Sequence, residues 1–173
     1  MKEQRFRTDV LPLKNELFRL ALRITLNPAE AEDVVQETMI RVWNRRDQWD
    51  DIESMEAFCL TVCRNLALDH QRLKANQHAS LDDEEDAIEA RHPTTDTPEQ
   101  EAERHDQLEQ VRRLMDSLPE KQRSCMQLRD IEGHSYREIA SIMGISEQQV
   151  KVNIFRARQA IKQKFIQDER YGL

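Results

Sequence analysis

The segment Ser135–Lys164, SYREIASIMGISEQQVKVNIFRARQAIKQK, constrains this chain more than any other stretch. Ser135 is followed three residues later by Glu138, the capping-box pattern that starts a short helix. Gly144 supplies a left-handed stop, and Ser146 with Gln149 starts a longer helix. Two helices joined by a Gly-containing turn form a helix-turn-helix unit. At about 100° per residue, Val150, Ile154, Ala157, Ile161 and Phe165 share one stripe of the second helix and should face a core. The opposite side carries Gln148, Gln149, Val152, Phe155, Arg156, Gln159 and Gln163, flanked by Lys151 and Lys162. Gln148 through Lys164 contains five Lys or Arg and no acid. Amides and Arg can read base edges, apolar groups can meet a thymine methyl, and cations neutralise phosphate. An ordinary amphipathic bundle helix is the plainer alternative, and an outward Val152 and Phe155 weigh against it.

A net charge of −7 at first argues against a polyanionic partner. The charge is unevenly spread: residues 1–75 carry −1, residues 76–107 carry −9, and residues 108–173 carry +3. The acidic middle, NQHASLDDEEDAIEARHPTTDTPEQE, holds Pro93 and Pro98 without sustained apolar periodicity. It reads as a flexible tether, with a helical turn around Asp86–Ala90. Only three Gly and five Pro in 173 residues favour helices over strands and turns. The expected fold is all-α: two small helical domains on an acidic linker, the second a helix-turn-helix. No membrane insertion is expected, since no run of eighteen apolar residues occurs. MKEQRFRTDV lacks the apolar core of a signal peptide, so a cytoplasmic location is expected.

The N-terminal module reads as three helices. The first covers Leu13–Leu26, with Leu17, Leu20, Ala21 and Ile24 inward. Asn27 caps the second, Pro28 takes its first position, and it runs to Arg46 over a stripe of Ala31, Val35, Met39 and Val42. Its outer face sets Ile40 among Asp33, Glu37 and Asn44, with Gln36 and Arg41 at the edges, which suits a protein-binding surface. Ser54 caps the third helix, which reaches Lys74 with Met55, Phe58, Val62, Leu66 and Leu73 inward. Thr61, Arg64, Asn65, Leu68 and Arg72 lie on its other side. With the loop residue Trp49, they could hold unpaired bases by stacking and edge hydrogen bonds; Trp49 could equally plug the core. The C-terminal module starts near Glu99 with a helix to Asp116. Ser117 with Glu120 suggests a capping box for the next helix, which ends at Gly133. Arg170 to Leu173 reads as a frayed tail. Cys59 and Cys63, one turn apart, could form a redox or metal pair. Burial is the simpler reading, because no further ligand sits at the right spacing, and burial is also the default for Cys125.

AEDVVQETMIRVW followed by AFCLTVCRNLALDHQR, and later LPEKQRSCMQLRDIEGHSYREIASIMGISEQQVKVNIFRARQAIKQ, resemble the two signatures of bacterial RNA polymerase sigma factors. The resemblance is to the sigma-70 superfamily, in its small extracytoplasmic-function (ECF) group, and it covers nearly the whole chain outside the linker. It implies sigma region 2 over 1–75, a linker over 76–105 and sigma region 4 over 106–173. It implies binding to core RNA polymerase, through the beta-prime clamp helices and the beta flap, and to promoter DNA. An anti-sigma factor is a further expected partner.

The resemblance gives roles to residues. Asp33, Gln36, Glu37, Ile40 and Arg41 match the clamp-helix segment. Arg64, Asn65 and Arg72, with the Trp49 loop, match the surface holding the melted minus-ten strand; Thr61 and Leu68 share that face. Lys151, Val152, Asn153, Phe155 and Arg156 match the minus-thirty-five reader, with Gln148, Gln149 and Gln159 beside them. The family often has Ser then Arg where this chain has Val152 and Asn153, which favours an apolar contact over a phosphate contact there. The loop QWDDIES is also more acidic than its usual Gly- and Ser-rich counterpart. No nucleophile–base pair, phosphate-cradling Gly loop or metal cluster appears, so neither an enzyme, a cofactor nor a small-molecule substrate is expected. The rivals are a free-standing dimeric operator-binding regulator and a thiol sensor built on Cys59 and Cys63.

Overall fold

The computed structural model describes residues 1–78 and 98–171. No strand occurs among the described residues. The first module holds α1 (Lys2–Arg5), a π turn (Phe6–Val10), a 3-10 turn (Leu11–Leu13), α2 (Lys14–Thr25), α3 (Pro28–Asn44), a 3-10 turn (Arg46–Asp51) and α4 (Met55–His78). The second holds α5 (Pro98–Asp116), α6 (Glu120–Met126), a π turn (Gln127–Ile131), α7 (Tyr136–Met143) and α8 (Glu147–Tyr171). The expected turn around Asp86–Ala90 lies outside the described residues. The span 76–105 expected as linker overlaps the end of α4 and the opening turns of α5. The expected frayed end at Arg170 is still helical, and α8 closes at Tyr171.

Local chemistry sets the helix ends. The Asn27 side chain accepts from the backbone N–H groups of Ala29 (2.9 Å) and Glu30 (3.2 Å), satisfying donors that α3 would otherwise leave open. Just before it, Leu26 takes the left-handed conformation, φ +57°, to turn the chain from α2 into α3. Ser54 caps α4 through the Ala57 N–H. Ser146 and Gln149 form a reciprocal capping box at 3.0 and 3.1 Å. Gly133 (φ +79°) and Gly144 (φ +67°) occupy the left-handed positions expected of helix stops.

One expected cap does not form. Ser117 donates to the Leu114 carbonyl, and Pro119 precedes α6 instead. This leaves the Glu120 carboxylate free to accept from Ser124 and Arg64. The helix expected to run unbroken to Gly133 breaks into α6 and a π turn.

Leu17, Leu20, Ala21, Ile24, Ala31, Val35, Val42, Val62 and Leu66 form the first core, as their spacing requires. Leu73, expected inward, is 62% exposed, because the covered side of α4 there runs through Gln71 and Lys74, which meet the Thr25 carbonyl and Glu30. The N-terminal residues before Leu13 add a layer absent from the sequence reading. Phe6 stacks on Trp49 (6.3 Å between centroids) and meets Trp43 edge-on (5.5 Å). Trp49 is 1% exposed, and its Nε1 donates to the Val42 carbonyl at 3.0 Å. The base-stacking role expected for Trp49 is therefore corrected: its ring is a core element, packed between Phe6 and Trp43.

The two modules pack against each other. A single apolar cluster includes Leu17, Leu20, Leu60 and Cys63 of the first with Cys125, Leu128, Ile139, Ile142 and Met143 of the second. Trp49→Ala should destabilise the chain by about 3–5 kcal/mol, the range for truncating a large buried aromatic. Denaturant unfolding followed by helical circular dichroism checks this; a change within about 0.5 kcal/mol is the surface value and would return Trp49 to the exterior.

Candidate nucleic-acid and partner interfaces

The helix-turn-helix is built as a two-faced unit. Val150, Ile154 and Ala157 are 0–2% exposed and lock α8 onto α6 and α7. Ile161 and Phe165 continue this stripe half-buried. On the far side Gln148, Gln149, Lys151, Arg156 and Gln159 are exposed, as are Val152 (36%) and Phe155 (64%). Asn153 differs from its expected role: it is half-buried, and its Nδ2 donates to the Gln149 carbonyl at 2.8 Å, so its amide serves the helix. Tyr136 on α7 braces the unit, with the Arg129 guanidinium 4.3 Å and the Lys151 ammonium 5.5 Å from its ring centroid. Arg158 is held sideways by Asp130. The face left over offers amides, two cations and two apolar groups, a set that can contact phosphates and major-groove base edges.

A second surface lies on α3. Ile40 is 60% exposed, with Asp33, Gln36 and Arg41 exposed around it. Glu37 pairs with Arg41 at 3.0 Å and with His70 at 3.7 Å. Beside Ile40 runs a groove of about 480 Å³ lined by Glu3, Phe6, Arg7, Leu11, Met39 and Trp43. Its floor depends on the residues before Leu13, whose short mixed turns carry no helical periodicity long enough to be read from sequence.

The third expected surface, on α4, is divided. Asn65 and Arg72 are exposed; Arg72 lies 3.6 Å from Asp69. Leu68 is half-buried, as is Thr61, whose hydroxyl donates to the Ala57 carbonyl. Arg64 is 7% exposed, because the second module covers it. Its guanidinium donates to Glu120 (3.2 Å) and to the Met143 carbonyl (3.5 Å). The α4 residues thus share one side of the helix, while Arg64 alone is withdrawn beneath α6 and α7.

Oppositely charged pairs line the rest of this junction. Arg23 meets Asp116 at 2.7 Å, and Arg19 forms a two-pronged contact with Glu132 at 2.5 and 2.8 Å. His134 sits between the modules with Glu16 at 2.6 Å and Glu56 at 3.5 Å from Nε2, and Glu138 at 2.7 Å from Nδ1. The hydrogen bond to Glu16 outweighs burial and raises the His134 pKa to about 9. The hydrogen bond shared with Glu16, followed by burial, raises Glu56 to about 7. Sequence reading missed this cluster because Glu16 lies 118 residues from His134, and only tertiary packing joins them. The cysteines are buried, and burial pushes Cys59 and Cys63 up to about 12, the setting of packed thiols rather than reactive ones.

Residues 10–77 match the family model for sigma-70 region 2, and residues 108–161 match that for sigma-70 region 4. The ECF RNA polymerase sigma factor EcfG of Rhodopseudomonas palustris is 30% identical over 88% of this chain and 80% of its own length. This chain belongs to the ECF sigma factors of the sigma-70 family. The family is one of transcription initiation factors rather than enzymes. The probable RNA polymerase sigma factor RfaY of Xanthomonas campestris pv. campestris is 28% identical over 95% of the chain, which spans 41% of that relative's length. The fold matches the sigma factor RpoE of Bartonella quintana, solved in complex with the anti-sigma factor NepR, at a TM-score of 0.77 and 23% identity over 91% of this chain and 94% of that one.

In this sigma factor the two outward faces, Phe155 with Val152 and Ile40, should be energetically idle in the isolated chain. Phe155→Ser and Ile40→Ser should each change unfolding free energy by less than about 0.5 kcal/mol. A loss above about 2 kcal/mol in denaturant melts would mean that these side chains are packed within the chain.

Proposed function

We propose that this sigma factor binds core RNA polymerase and directs it to promoters by contacting the minus-ten and minus-thirty-five elements, under control of an anti-sigma factor. The observation that carries this reading is the pair of separated, outward-facing surfaces. One is the Val152–Phe155–Arg156 face of α8, and the other is the Ile40 patch of α3. Region 2 (1–75) holds the beta-prime clamp helices through Asp33, Gln36, Glu37, Ile40 and Arg41, with the neighbouring groove offering apolar area. Asn65 and Arg72, joined by Arg64 once it is uncovered, take the melted minus-ten strand, with Thr61 and Leu68 shaping that face.

Region 4 (106–173) lays α8 into the minus-thirty-five major groove. Arg156 and Gln149 suit base edges, Lys151 suits phosphate, and Val152 and Phe155 suit thymine methyls. Region 4 also meets the beta flap. Each DNA contact is weak alone. The acidic linker (76–105) ties them together, so binding one raises the effective concentration of the other where promoter spacing allows both. Its negative charge disfavours loose association with DNA. Polymerase supplies the chemistry in the cytoplasm, and the sigma factor supplies the address.

A free-standing operator-binding regulator would give the Ile40 patch no task. Run-off transcription with purified core polymerase on a genomic fragment library separates the two readings. Initiation at defined sites above core alone is expected, and its absence would count against a sigma role. Within that assay's promoters, Arg156→Ala should weaken minus-thirty-five duplex binding by about 1–3 kcal/mol and relax preference at one position. Unchanged affinity and preference would remove Arg156 from the reading face.

A further inference from the structure

The contact between the two modules is built around one titratable group. His134 lies in the turn between the π turn and α7, 6% exposed. Glu16 of α2 and Glu56 of α4 reach it from the first module, and Glu138 of α7 from its own. The other charged groups nearby are already engaged. Arg129 donates to the His134 carbonyl at 2.8 Å, while Arg19 and Glu132 hold each other. Three carboxylates therefore converge on one imidazole, and both of its ring nitrogens meet an acceptor. That geometry favours the imidazolium, which donates from both nitrogens, whereas a neutral ring carries a proton on one only. The same junction covers Arg64 with Glu120 and Met143.

We propose that His134 and its three carboxylates form a proton-dependent latch that holds the modules closed over Arg64, so that deprotonation opens the chain and frees the α4 surface. The significance of that surface rests on the sigma-factor reading above; the latch itself does not.

The direction follows from linkage. His134 is raised to about 9 in the closed chain, against the usual value of about 6.5 for an open one, so closing takes up a proton between those values. Its contribution to closure is fully present below about 6.5 and is lost as pH rises through 9. Glu56, raised to about 7, also takes up a proton on closing, and its contribution fades from about 4.5 up to 7. Glu16 is lowered: its hydrogen bonds to His134 and Glu56 overcome burial, so its contribution disappears only at acid pH. Burial holds Cys59 at about 12 and Cys125 at about 11, so neither thiol titrates below pH 9. Between pH 7 and 9 the closed-to-open ratio should fall by up to about tenfold per unit, the limit for one proton.

The three native cysteines are buried, so new thiols at exposed positions accept dyes selectively. Gln48→Cys in the first module and Gln167→Cys on α8 place a donor and an acceptor at exposed positions, one on each module. In the full chain, energy transfer should fall reversibly from pH 7 to pH 9 while helical circular dichroism stays constant. Adding His134→Gln should give low transfer at all these values with no slope. If that variant loses helical signal, Glu138→Gln serves in its place, since its partly exposed side chain leaves the cores untouched, and it should move the opening to lower pH. Transfer that stays flat with pH in the native-histidine chain, or a slope unchanged in the folded histidine variant, would overturn the latch. None of these readouts uses polymerase or DNA. A failed latch therefore leaves the transcription result standing, and a failed run-off assay leaves the latch standing.

Discussion

A guanidinium taken out of water sets the terms for the arrangement of the two modules. Arg64 can lie beneath α6 and α7 only if its charge is met, since an unpaired buried cation costs several kcal/mol. Glu120 and the Met143 carbonyl meet it, but the Nε atom forms no hydrogen bond. The pairing is thus incomplete. Arg23 with Asp116 and Arg19 with Glu132 repeat the pattern at the same junction, each with one partner from either side. Charged pairs of this kind gain little net free energy over solvated ions. The junction accordingly resembles a transient interface more than a fused core, although Leu17, Ile142 and their neighbours add apolar contact.

That balance matters because the surfaces proposed to serve DNA and polymerase are treated differently. The α8 face and the Ile40 patch stay exposed in the closed chain. Arg64, in the middle of the α4 face, does not. A closed chain could meet a partner through α3 and a duplex through α8, yet would present an interrupted α4 surface. Under the proposed two-point contact, holding the two faces in fixed relation would also limit the promoter spacings they can span. On that reading closure and two-point promoter contact are alternatives, and a modest interface energy keeps the alternatives close.

Much of this was legible from sequence where the signal was local. Asn27 with Pro28, Ser146 with Gln149, and Gly144 are chemical instructions confined to four or five residues, and each acts as read. The stripe of Val150, Ile154 and Ala157 was legible because the helical period is fixed. Trp49 looked like a loop aromatic, but the short turns of Phe6–Leu13 had no period to announce them, and Phe6 is what encloses it. Ser117 matched a cap pattern, yet Glu120 was drawn to Arg64 across the junction. Asn153 sat on the reading face of the helical wheel, and its amide turned back to the Gln149 carbonyl. Leu73 fell off the covered side of α4, which there runs through Gln71 and Lys74. The His134 cluster had no sequence signal, since its carboxylates come from three separate helices.

Glu120 shows how closure and DNA contact compete through chemistry rather than bulk. A carboxylate facing Arg64 occupies a donor that a phosphate oxygen could take. If Arg64 holds the minus-ten strand as proposed, Glu120 takes the place of nucleic acid in the closed chain. Displacing it costs little if a phosphate arrives, because one charged acceptor replaces another and the guanidinium is returned to water in between. Displacing it without such a replacement leaves Glu120 and Arg64 to be solvated separately, which water also does well. The buried cation therefore does not lock the junction by itself. The carboxylates around His134 differ, because at high pH the imidazole loses its charge and Glu16, Glu56 and Glu138 are left facing one another. Like charges at such range repel, and separating the modules relieves the repulsion. Control of closure thus falls to the one pairing at the junction whose charge can vanish near neutral pH.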